Sequence, residues 1–355
     1  MLISKISLSN FRNIKDKAFS FSPKVTVIVG PNASGKTNIL EGIYLLSTGK
    51  SFRAKIEEEM INYGEEISRV RGQVAQTKTN LEVVLTRGEI RAGTAKPEKV
   101  ARKRLLINGV GKRLIDFAGN FKLVLFGPWD LHLVTDSPST RRKFLDTVLF
   151  QVDIEYRRAN LSYEKGLRQR NRLLLRIREE GVPRSQLLFW NRLLIKNGDY
   201  ISVKREEFIN FANSTNSLND QEFILEYDKS AISEARLQAY ANEEVAAATT
   251  LVGPHRDDFI SRVKSKSQKR ARGLARYGSR GEQRMGVLCL KLAELSFIEE
   301  ATDEKPTLLL DDIFSELDHE HRKVVMKAVG GQQTIITTAD PHFIENIEKV
   351  EKIKL

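Results

Sequence analysis

Eight consecutive residues near the start of the chain have the composition and spacing of a loop that binds phosphate groups. Residues 30–37 read GPNASGKT and match the pattern G-x-x-x-x-G-K-[ST] in full. Glycines allow backbone angles that turn successive N–H groups inward, so such a loop can form a nest for an anion. The loop residues predicted to bind a nucleotide are Gly30, Pro31, Asn32, Ala33, Ser34, Gly35, Lys36 and Thr37.

Two side chains of this loop have separate predicted tasks. Lys36 supplies a positive charge to the β- and γ-phosphates of ATP, and the Thr37 hydroxyl is a ligand for Mg²⁺. A β-branched run at residues 25–29 precedes the loop, and apolar residues at helical spacing follow it. A helix that begins at Lys36 would direct its positive N-terminal dipole at the same phosphates. This order of strand, loop and helix predicts an ATP site.

A magnesium ion bound by Thr37 needs a carboxylate on a neighbouring strand. Residues 307–310, Thr-Leu-Leu-Leu, have the composition of a buried strand, and Asp311 and Asp312 follow them directly. Asp311 is the predicted magnesium ligand, and Asp312 is predicted to orient or deprotonate the attacking water. A strand that ends in two aspartates is, taken alone, more often a polar turn. The phosphate loop favours the catalytic interpretation, in which Lys36 and Asp312 are the catalytic groups.

A second predicted helix start also has a phosphate-binding composition. Ser279, Gly281 and Gln283 lie in the sequence SRGEQ, just before an apolar helical run at residues 287–295. Serine and glycine at a helix N-terminus can bind a phosphate, although the same residues also make ordinary helix caps. Because one nucleotide needs only one phosphate loop, a second such site indicates that another subunit approaches the γ-phosphate. The sequence therefore predicts that a second subunit completes the nucleotide site.

The remaining pattern divides the chain into regions of different character. Several short strand candidates within residues 67–126, including 81–85 and 122–126, predict an antiparallel sheet. From about residue 140 to 211 the pattern changes to amphipathic helix, broken by a Gly-Val-Pro sequence, which predicts an antiparallel helical lobe. The final third returns to strands alternating with helices, as in an α/β fold.

The charge balance indicates a polyanionic partner. The net charge is +12 and the pI is about 9.6, which favours nucleic acid or an anionic membrane surface. We expect no membrane segment or lipid anchor, and the single cysteine, Cys289, fits a reducing cytoplasm. The residues predicted to contact DNA are Lys264, Lys266, Lys269, Arg270, Arg272 and Arg276. A second basic cluster in the helical lobe comprises Arg168, Arg170, Arg172, Arg176 and Arg178.

The motifs, taken in order, resemble the ABC-type ATPase heads of chromosome-maintenance and repair proteins, which include SMC and Rad50 proteins. The resemblance is most specific to the RecF family and covers nearly the whole chain. Besides the phosphate loop, the segments that carry it are residues 10–13, 49–53, 130–134, 138–146, 253–258 and 310–318. The chain departs from the family pattern at Trp129, where an acid is common, and at Glu282, where many relatives have glutamine or glycine.

The resemblance implies an α/β fold, namely a P-loop ABC-type ATPase head with a mixed sheet, an antiparallel sheet and an inserted helical lobe. It implies that residues 1–135 and 245–355 form the head, lobe I, and that residues 136–244 form the helical lobe, lobe II. It also implies a place in the nucleotide site for further residues. These are Arg12 and Asn13 beside the phosphate loop, Ser279, Gly281 and Gln283 of the signature motif, and Asp318 of the loop after the acidic strand.

The resemblance further implies a function in DNA repair, DNA replication and the SOS response. Family members are weak DNA-dependent ATPases of the cytoplasm that use ATP and Mg²⁺ and dimerise head to head. They bind double-stranded DNA near gaps and junctions, and they act with RecR and RecO to load RecA. Three alternative functions remain for this chain: an ATPase that drives a membrane transporter, an ATPase head fused to a nuclease, and a clamp that binds ATP without turnover. The distance of 243 residues along the chain from Lys36 to Ser279 argues against the transporter.

Overall fold

The structure is a computed structural model that describes most of the chain. Most of the described residues form helices or strands. The described residues are 1–90, 98–215, 217–218, 221–265, 270–317, 319–329, 331–340, 342 and 350–355. The strands are β1 (Ile3–Phe11), β2 (Ile14–Ser20), β3 (Val25–Val29), β4 (Ile67–Val74), β5 (Thr79–Thr86), β6 (Glu89–Ile90), β7 (Glu98–Lys99), β8 (Lys103–Ile107), β9 (Val110–Lys112), β10 (Leu123–Phe126), β11 (Ser217–Leu218), β12 (Gln221–Asp228), β13 (Asp258–Ser265), β14 (Arg272–Gly273), β15 (Thr307–Asp311), β16 (Thr334–Thr338) and β17 (Val350–Lys354). The helices are α1 (Lys36–Thr48), α2 (Leu114–Phe117), α3 (His132–Thr135), α4 (Pro138–Val152), α5 (Ile154–Glu180), α6 (Leu187–Thr215), α7 (Glu234–Ala239), α8 (Ala241–Ala247), α9 (Leu274–Tyr277), α10 (Arg280–Thr302), α11 (Ile313–Glu316) and α12 (His319–Ala328).

The chain forms two compact units. Unit 1 consists of Met1–Asp130 together with Glu294–Leu355, and unit 2 consists of Leu131–Ala293. The boundaries of lobes I and II, residues 1–135 with 245–355 and residues 136–244, stay a prediction. Within the described residues, no helix is long and apolar enough to cross a membrane.

Unit 1 contains a parallel sheet that gathers strands from distant parts of the chain. The strand order is β10-β15-β16-β3-β17, and each neighbouring pair is parallel. Every residue of β10, β15 and β16 is buried, as is usual for parallel strands, which are covered on both faces. Parallel strands end at the same edge, so the segments after β3, β15 and β16 leave the sheet side by side.

An antiparallel sheet and a buried helix complete the core of unit 1. The sheet has the order β2-β1-β4-β5-β8-β9. Helix α1 contacts strands of both sheets, and nearly all of its residues are buried. It approaches the antiparallel sheet closely, because a Cβ atom added at Gly42 would lie 2.7 Å from a methyl carbon of Leu8. The helix that follows the phosphate loop is therefore fixed by packing on both sides.

The structure corrects the predicted position of one strand. Residues 81–85 lie in antiparallel β5, as predicted, but the run at residues 122–126 does not join that sheet. Its strand, β10, pairs in parallel with β15, which is some 180 residues later in the chain. The continuous apolar run is typical of a parallel strand buried on both faces, and the local sequence contains no signal for so distant a partner.

The predicted helical lobe corresponds to three helices of unit 2, α4, α5 and α6. Helix α5 begins after Asp153, whose carboxylate accepts hydrogen bonds from the N–H groups of Glu155 and Tyr156. It ends before Gly181, whose φ of +69° gives the left-handed conformation that commonly terminates a helix. The predicted break at the Gly-Val-Pro sequence is confirmed.

A buried ionic cluster holds the segment at residues 253–258 within unit 2. Asp257 is fully buried and accepts hydrogen bonds from Arg205 Nη1 at 3.0 Å and the N–H of Ser230 at 2.8 Å. Arg205 also donates to Asp146 at 2.8 Å. These contacts join α4, α6 and the segment before β13, so the two family-like segments at residues 138–146 and 253–258 stabilise each other.

His255 lies beside this cluster as a neutral, hydrogen-bonded side chain. Its Nδ1 atom lies 2.8 Å from the Tyr163 hydroxyl, and its Nε2 atom lies 3.0 Å from the carbonyl oxygen of Thr250. Burial lowers the pKa of His255 to about 4, and the positive charges of Arg256 and Arg142 add to the effect. Protonation of this imidazole therefore favours the unfolded chain.

We expect His255 to make the protein less stable in mild acid. Its pKa in the unfolded chain is about 6.5, so the free energy of unfolding falls as the pH decreases from about 6.5 towards 4, by up to ~3 kcal/mol. Urea unfolding at several pH values would measure this. His255→Gln should lack that component of the pH dependence, whereas His132→Gln, at an exposed site, should keep it. An unchanged pH dependence in His255→Gln would contradict the assignment.

Candidate functional site

The predicted phosphate loop connects the C-terminal end of β3 to the start of α1. Ala33 and Gly35 have φ angles of +65° and +102°, the left-handed conformations that turn neighbouring N–H groups to one side. The Lys36 ammonium donates hydrogen bonds to the carbonyl oxygens of Gly30 and Pro31, at 2.7 and 2.8 Å. Since Lys36 is only 7% exposed, its positive charge lies within the curve of the loop.

The loop also contains a hydroxyl group with unused hydrogen-bonding capacity. The Oγ atom of Ser34 is buried and has no hydrogen-bond partner among the described residues. A buried hydroxyl without a partner is unfavourable, and an anionic oxygen in the loop would provide an acceptor. The buried ammonium of Lys36 and this hydroxyl suit a phosphate group.

The strand end that carries Asp311 meets the phosphate loop directly. The Thr37 hydroxyl donates to Asp311 Oδ1 at 3.1 Å, and the Thr337 hydroxyl at the end of β16 donates to the same oxygen. Burial raises the pKa of Asp311, while these two hydroxyl groups oppose the shift. A carboxylate and a hydroxyl at this edge form the oxygen-rich set that Mg²⁺ prefers, so the donor set fits this ion.

Asp312 differs from its neighbour in backbone and environment. Its φ angle is +48°, a left-handed conformation that aspartate tolerates better than most residues. Its N–H group donates to the carbonyl and hydroxyl oxygens of Thr337, both at 3.1 Å. Within the described part of the chain, the Asp312 carboxylate has no hydrogen-bond partner, whereas the Asp311 carboxylate has two.

The two residues that the resemblance places beside the loop make different contacts. Asn13 donates from Nδ2 to the carbonyl oxygen of Ala33 at 3.3 Å and accepts a hydrogen bond from Asn38 at 2.6 Å. Asn13 therefore supports the backbone of the phosphate loop. Arg12 instead donates from Nε and Nη2 to the carboxylate of Glu41, at 2.9 and 2.7 Å.

Glu41 is a buried carboxylate in α1 that the sequence analysis did not identify. Its carboxylate accepts hydrogen bonds from Arg12, from Arg53 at 2.8 and 3.0 Å, and from Ser51 at 2.6 Å. Burial by itself would raise the pKa of Glu41, but the hydrogen bonds from Arg12, Arg53 and Ser51 hold it below its ordinary value. The available signal was an acid in a helix that is otherwise mostly apolar, with arginines in two flanking segments.

Trp129, where the chain departs from the family pattern, has a packing partner. Its ring stacks on Phe52 with the centroids 4.8 Å apart and the planes 20° apart. Phe52 in turn makes an edge contact with Tyr44 of α1, at 5.3 Å. Asp130, the next residue, is buried and accepts a hydrogen bond from the N–H of Gly127 at 2.8 Å. The indole therefore packs against the segment at residues 49–53.

In unit 2, Ser279 and Glu282 form a reciprocal cap at the start of α10. The Ser279 hydroxyl accepts from the N–H of Glu282 at 3.2 Å, and Glu282 Oε2 accepts from the N–H of Ser279 at 2.8 Å. Burial opposes ionisation of Glu282, but these hydrogen bonds and the charge of Arg272 hold its pKa below its ordinary value. The serine is exposed, and a Cβ atom at Gly281 would meet only the Ser279 hydroxyl, at 4.0 Å.

Comparison with known proteins places this chain in a family. The protein-family model described as the RecF/RecN/SMC N terminal domain matches residues 2–355 of this chain. The DNA replication and repair protein RecF of Agathobacter rectalis is 35% identical, over 99% of this chain and 96% of that protein. RecF of Bacillus cytotoxicus is 33% identical, over 100% of this chain and 96% of that protein. The chain belongs to the RecF family.

Solved structures agree with this assignment. The recombination mediator protein RecF with ATPrS in the RecFOR pathway has a TM-score of 0.85 and 31% identity, over 97% of this chain and 94% of that one. The SMC head bound to the C-winged helix domain of ScpA has a TM-score of 0.53 and 17% identity, over 99% and 93%, and so shows a shared fold. The expected fold class, an α/β ATPase head related to SMC proteins, is confirmed.

The structure separates the basic residues of this RecF-family chain by environment. The placement of Arg170 in a basic surface cluster is wrong, because its side chain is buried. It is 2% exposed and donates hydrogen bonds to Glu244 at 2.6 Å and to Asn191 at 2.8 Å. Arg272 pairs with Glu282, while Arg270 and Arg276 are exposed. Among the other predicted site residues, Lys264 lies on β13. Gln283 is buried and donates a hydrogen bond to the carbonyl oxygen of Leu274. Three more predicted site residues lie outside the described residues. These three are Lys266, Lys269 and Asp318.

The buried carboxylate of Glu41 generates a prediction about stability. We expect Glu41→Gln to lower the free energy of unfolding by roughly 3–5 kcal/mol, because two guanidinium groups would lose their counterion. Denaturant titration measures this. Glu58→Gln is the matched control, since its pair with the 62%-exposed side chain of Arg102 should contribute less than about 1 kcal/mol. Equal losses in the two variants would refute the role of Glu41.

Proposed function

We propose that this chain is an ATPase of DNA replication and repair that binds ATP with Mg²⁺, dimerises when ATP is bound and binds double-stranded DNA. The observation that carries the proposal is the hydrogen bond between Thr37 and Asp311. It brings together a phosphate loop and an acidic strand end that are separated by more than 270 residues in the sequence. The curated RecF relatives, named for DNA replication and repair, support this function.

In this proposal the triphosphate lies in the loop at residues 30–37. The N–H groups of the loop and the start of α1 bind phosphate oxygens, and Lys36 turns its ammonium from the loop carbonyls towards the β- and γ-phosphates. Thr37 and Asp311 are the residues that would hold Mg²⁺, which neutralises charge on the phosphates. A related structure described as RecF with ATP supports nucleotide binding in this family.

Asp312 is the proposed general base for hydrolysis. Its carboxylate can accept a proton from water as the water oxygen bonds to the γ-phosphorus and the bond to ADP breaks. The half-buried Asp312 makes no side-chain hydrogen bond among the described residues, so the group is available for this step. We propose that turnover is slow and increases with DNA.

Lys36 provides a direct test of nucleotide binding. We expect Lys36→Met to weaken ATP binding by roughly tenfold to a hundredfold, because charge-assisted hydrogen bonds contribute about 1.5–3 kcal/mol each. ATP-dependent dimerisation should disappear with it. Calorimetric titration with ATP and sedimentation with and without ATP would measure both effects. Lys55→Met, at an exposed site, is the control. If both variants lose ATP affinity, or if neither does, the assignment of ATP binding to the phosphate loop is contradicted.

The start of α10 is the proposed contact with the partner's nucleotide. Ser279 is exposed at the helix N-terminus, where backbone N–H groups and the helix dipole favour a phosphate. Gly281 lies in the first turn, yet packing within the chain does not require a glycine there, because an added Cβ atom would meet only the Ser279 hydroxyl, at 4.0 Å. A glycine beside open space is consistent with close approach of a second molecule.

Two substitutions at this helix start test the dimer. We expect Ser279→Arg to bind ATP but to block dimerisation and turnover. Loss of the cap also costs about 1 kcal/mol, so a second variant is needed. Gly281→Leu should keep or slightly raise stability, since leucine favours helix by up to about 1 kcal/mol over glycine, and should still prevent the dimer. Sedimentation with ATP measures this, with Gly111→Leu as the control. Normal dimerisation and turnover of Gly281→Leu would disprove the composite site.

The proposed cellular setting follows from the relatives. A similar protein is described as a recombination mediator in the RecFOR pathway, and we propose RecR and RecO as partners of this chain in loading RecA. We propose double-stranded DNA at gaps or junctions as the nucleic acid and the cytoplasm as the location. The net charge of +12 supports a polyanionic partner.

A further inference from the structure

Helices α5 and α6 of unit 2 pack side by side and bury one face of α5. A Cβ atom at Gly166 would lie 2.5 Å from Leu193 Cδ2, so the two helices are in close contact there. Further along, Arg170 of α5 donates to Asn191 of α6. Apart from Arg157, whose guanidinium group donates to the carbonyl oxygen of Phe150, the buried residues of α5 recur at helical spacing along this face and along the adjoining one that contacts α8. They are Tyr156, Ala159, Asn160, Tyr163, Gly166, Arg170, Leu174 and Ile177.

The opposite flank of α5 carries a row of basic residues, which we call the basic stripe. Its members, separated by seven, seven and four residues, are Arg158, Lys165, Arg172 and Arg176. Such intervals are close to whole numbers of helical turns, so the four side chains emerge along one line of the helix. All four residues are exposed. At 1.5 Å per residue, the stripe is about 27 Å long.

The charges of the stripe are available to an external partner. Neither Lys165 nor Arg172 has a hydrogen bond or ion pair with any described residue. Arg158 pairs with Glu155 and Arg176 with Glu180, but the side chains of both pairs are more than half exposed. Exposed pairs within one helix contribute only a few tenths of a kcal/mol, so a phosphate can replace either carboxylate.

We propose that the basic stripe of α5 contacts the phosphate backbone of double-stranded DNA, an inference that rests on the proposed function of the chain. At about 27 Å, the stripe is long enough to pass several phosphates, since each strand of a duplex has one phosphate per about 3.4 Å of axis. Three of its four cations are arginines, whose planar guanidinium group binds phosphate oxygens in pairs. Helix α5 is also anchored by its buried face, so the cations are held on a rigid element.

DNA contact by the basic stripe can be tested separately from contact by the basic residues at positions 264–276. Arg272 in that cluster is already paired with Glu282, which reduces its availability to DNA. The stripe and the exposed Arg270 and Arg276 are separate groups in the sequence, and each can be altered without the other. Substitution of stripe residues therefore tests this surface alone.

The test is a double charge reversal, Lys165→Glu with Arg172→Glu, assayed by fluorescence anisotropy with a labelled duplex and ATP. We expect affinity at about 0.15 M salt to fall roughly tenfold or more, and the slope of log K against log salt to decrease by about two, because two phosphate contacts are lost. The control is Lys15→Glu with Lys17→Glu on β2, which makes the same change in net charge at exposed positions. It should retain most of the affinity and the slope.

ATP-dependent dimerisation, measured by sedimentation, separates this inference from the proposed function. The stripe variant should dimerise normally and lose only DNA binding. Unchanged DNA affinity and slope in the stripe variant would overturn the proposal, and would be the result if the stripe binds an acidic protein segment instead. Equal losses in the stripe and β2 variants would also overturn it. A wild-type protein that binds no duplex would refute DNA binding itself, together with the stripe.

Discussion

The common direction of the strands in the parallel sheet is the constraint on which the site depends. Because β3, β15 and β16 run the same way, their carboxyl ends meet at one edge. The phosphate loop, Asp311 and Thr337 therefore come within hydrogen-bonding distance, although they are far apart in the sequence. Reversal of any one strand would move its polar residues to the opposite edge, and the oxygen atoms that suit a magnesium ion would no longer be grouped.

A buried charge fixes the surroundings of the loop. Helix α1 follows the loop and lies between two sheets, where an unpaired carboxylate would be strongly unfavourable. Glu41 is tolerated because Arg12, Arg53 and Ser51 satisfy its oxygens. Those partners come from the β1–β2 turn and from the segment after α1, so the same ionic contacts hold both segments against the helix. The turn also carries Asn13, which supports the loop backbone.

In unit 2, burial separates arginines with structural roles from those available to a partner. Arg170 and Arg205 are almost completely buried and pair with Glu244 and Asp257, so their charges are used within the fold. Arg172 lies only two residues after Arg170 but faces solvent. Consecutive helical residues point about 100° apart, and a cluster of arginines in a sequence therefore divides between core and surface once its helix is packed.

The sequence by itself determined the phosphate loop, the acidic strand end, the helical region and the family, because each is encoded in a local pattern of residue types. It also indicated that residues 81–85 and 122–126 are strands. Tertiary structure alone decided which strands pair, since β10 and β15 are joined by contacts that no local pattern records. It likewise decided that Glu41 is a buried ionic centre and that Arg170 is a core residue. Burial depends on what other segments pack against a helix, and that information is distributed over the whole chain.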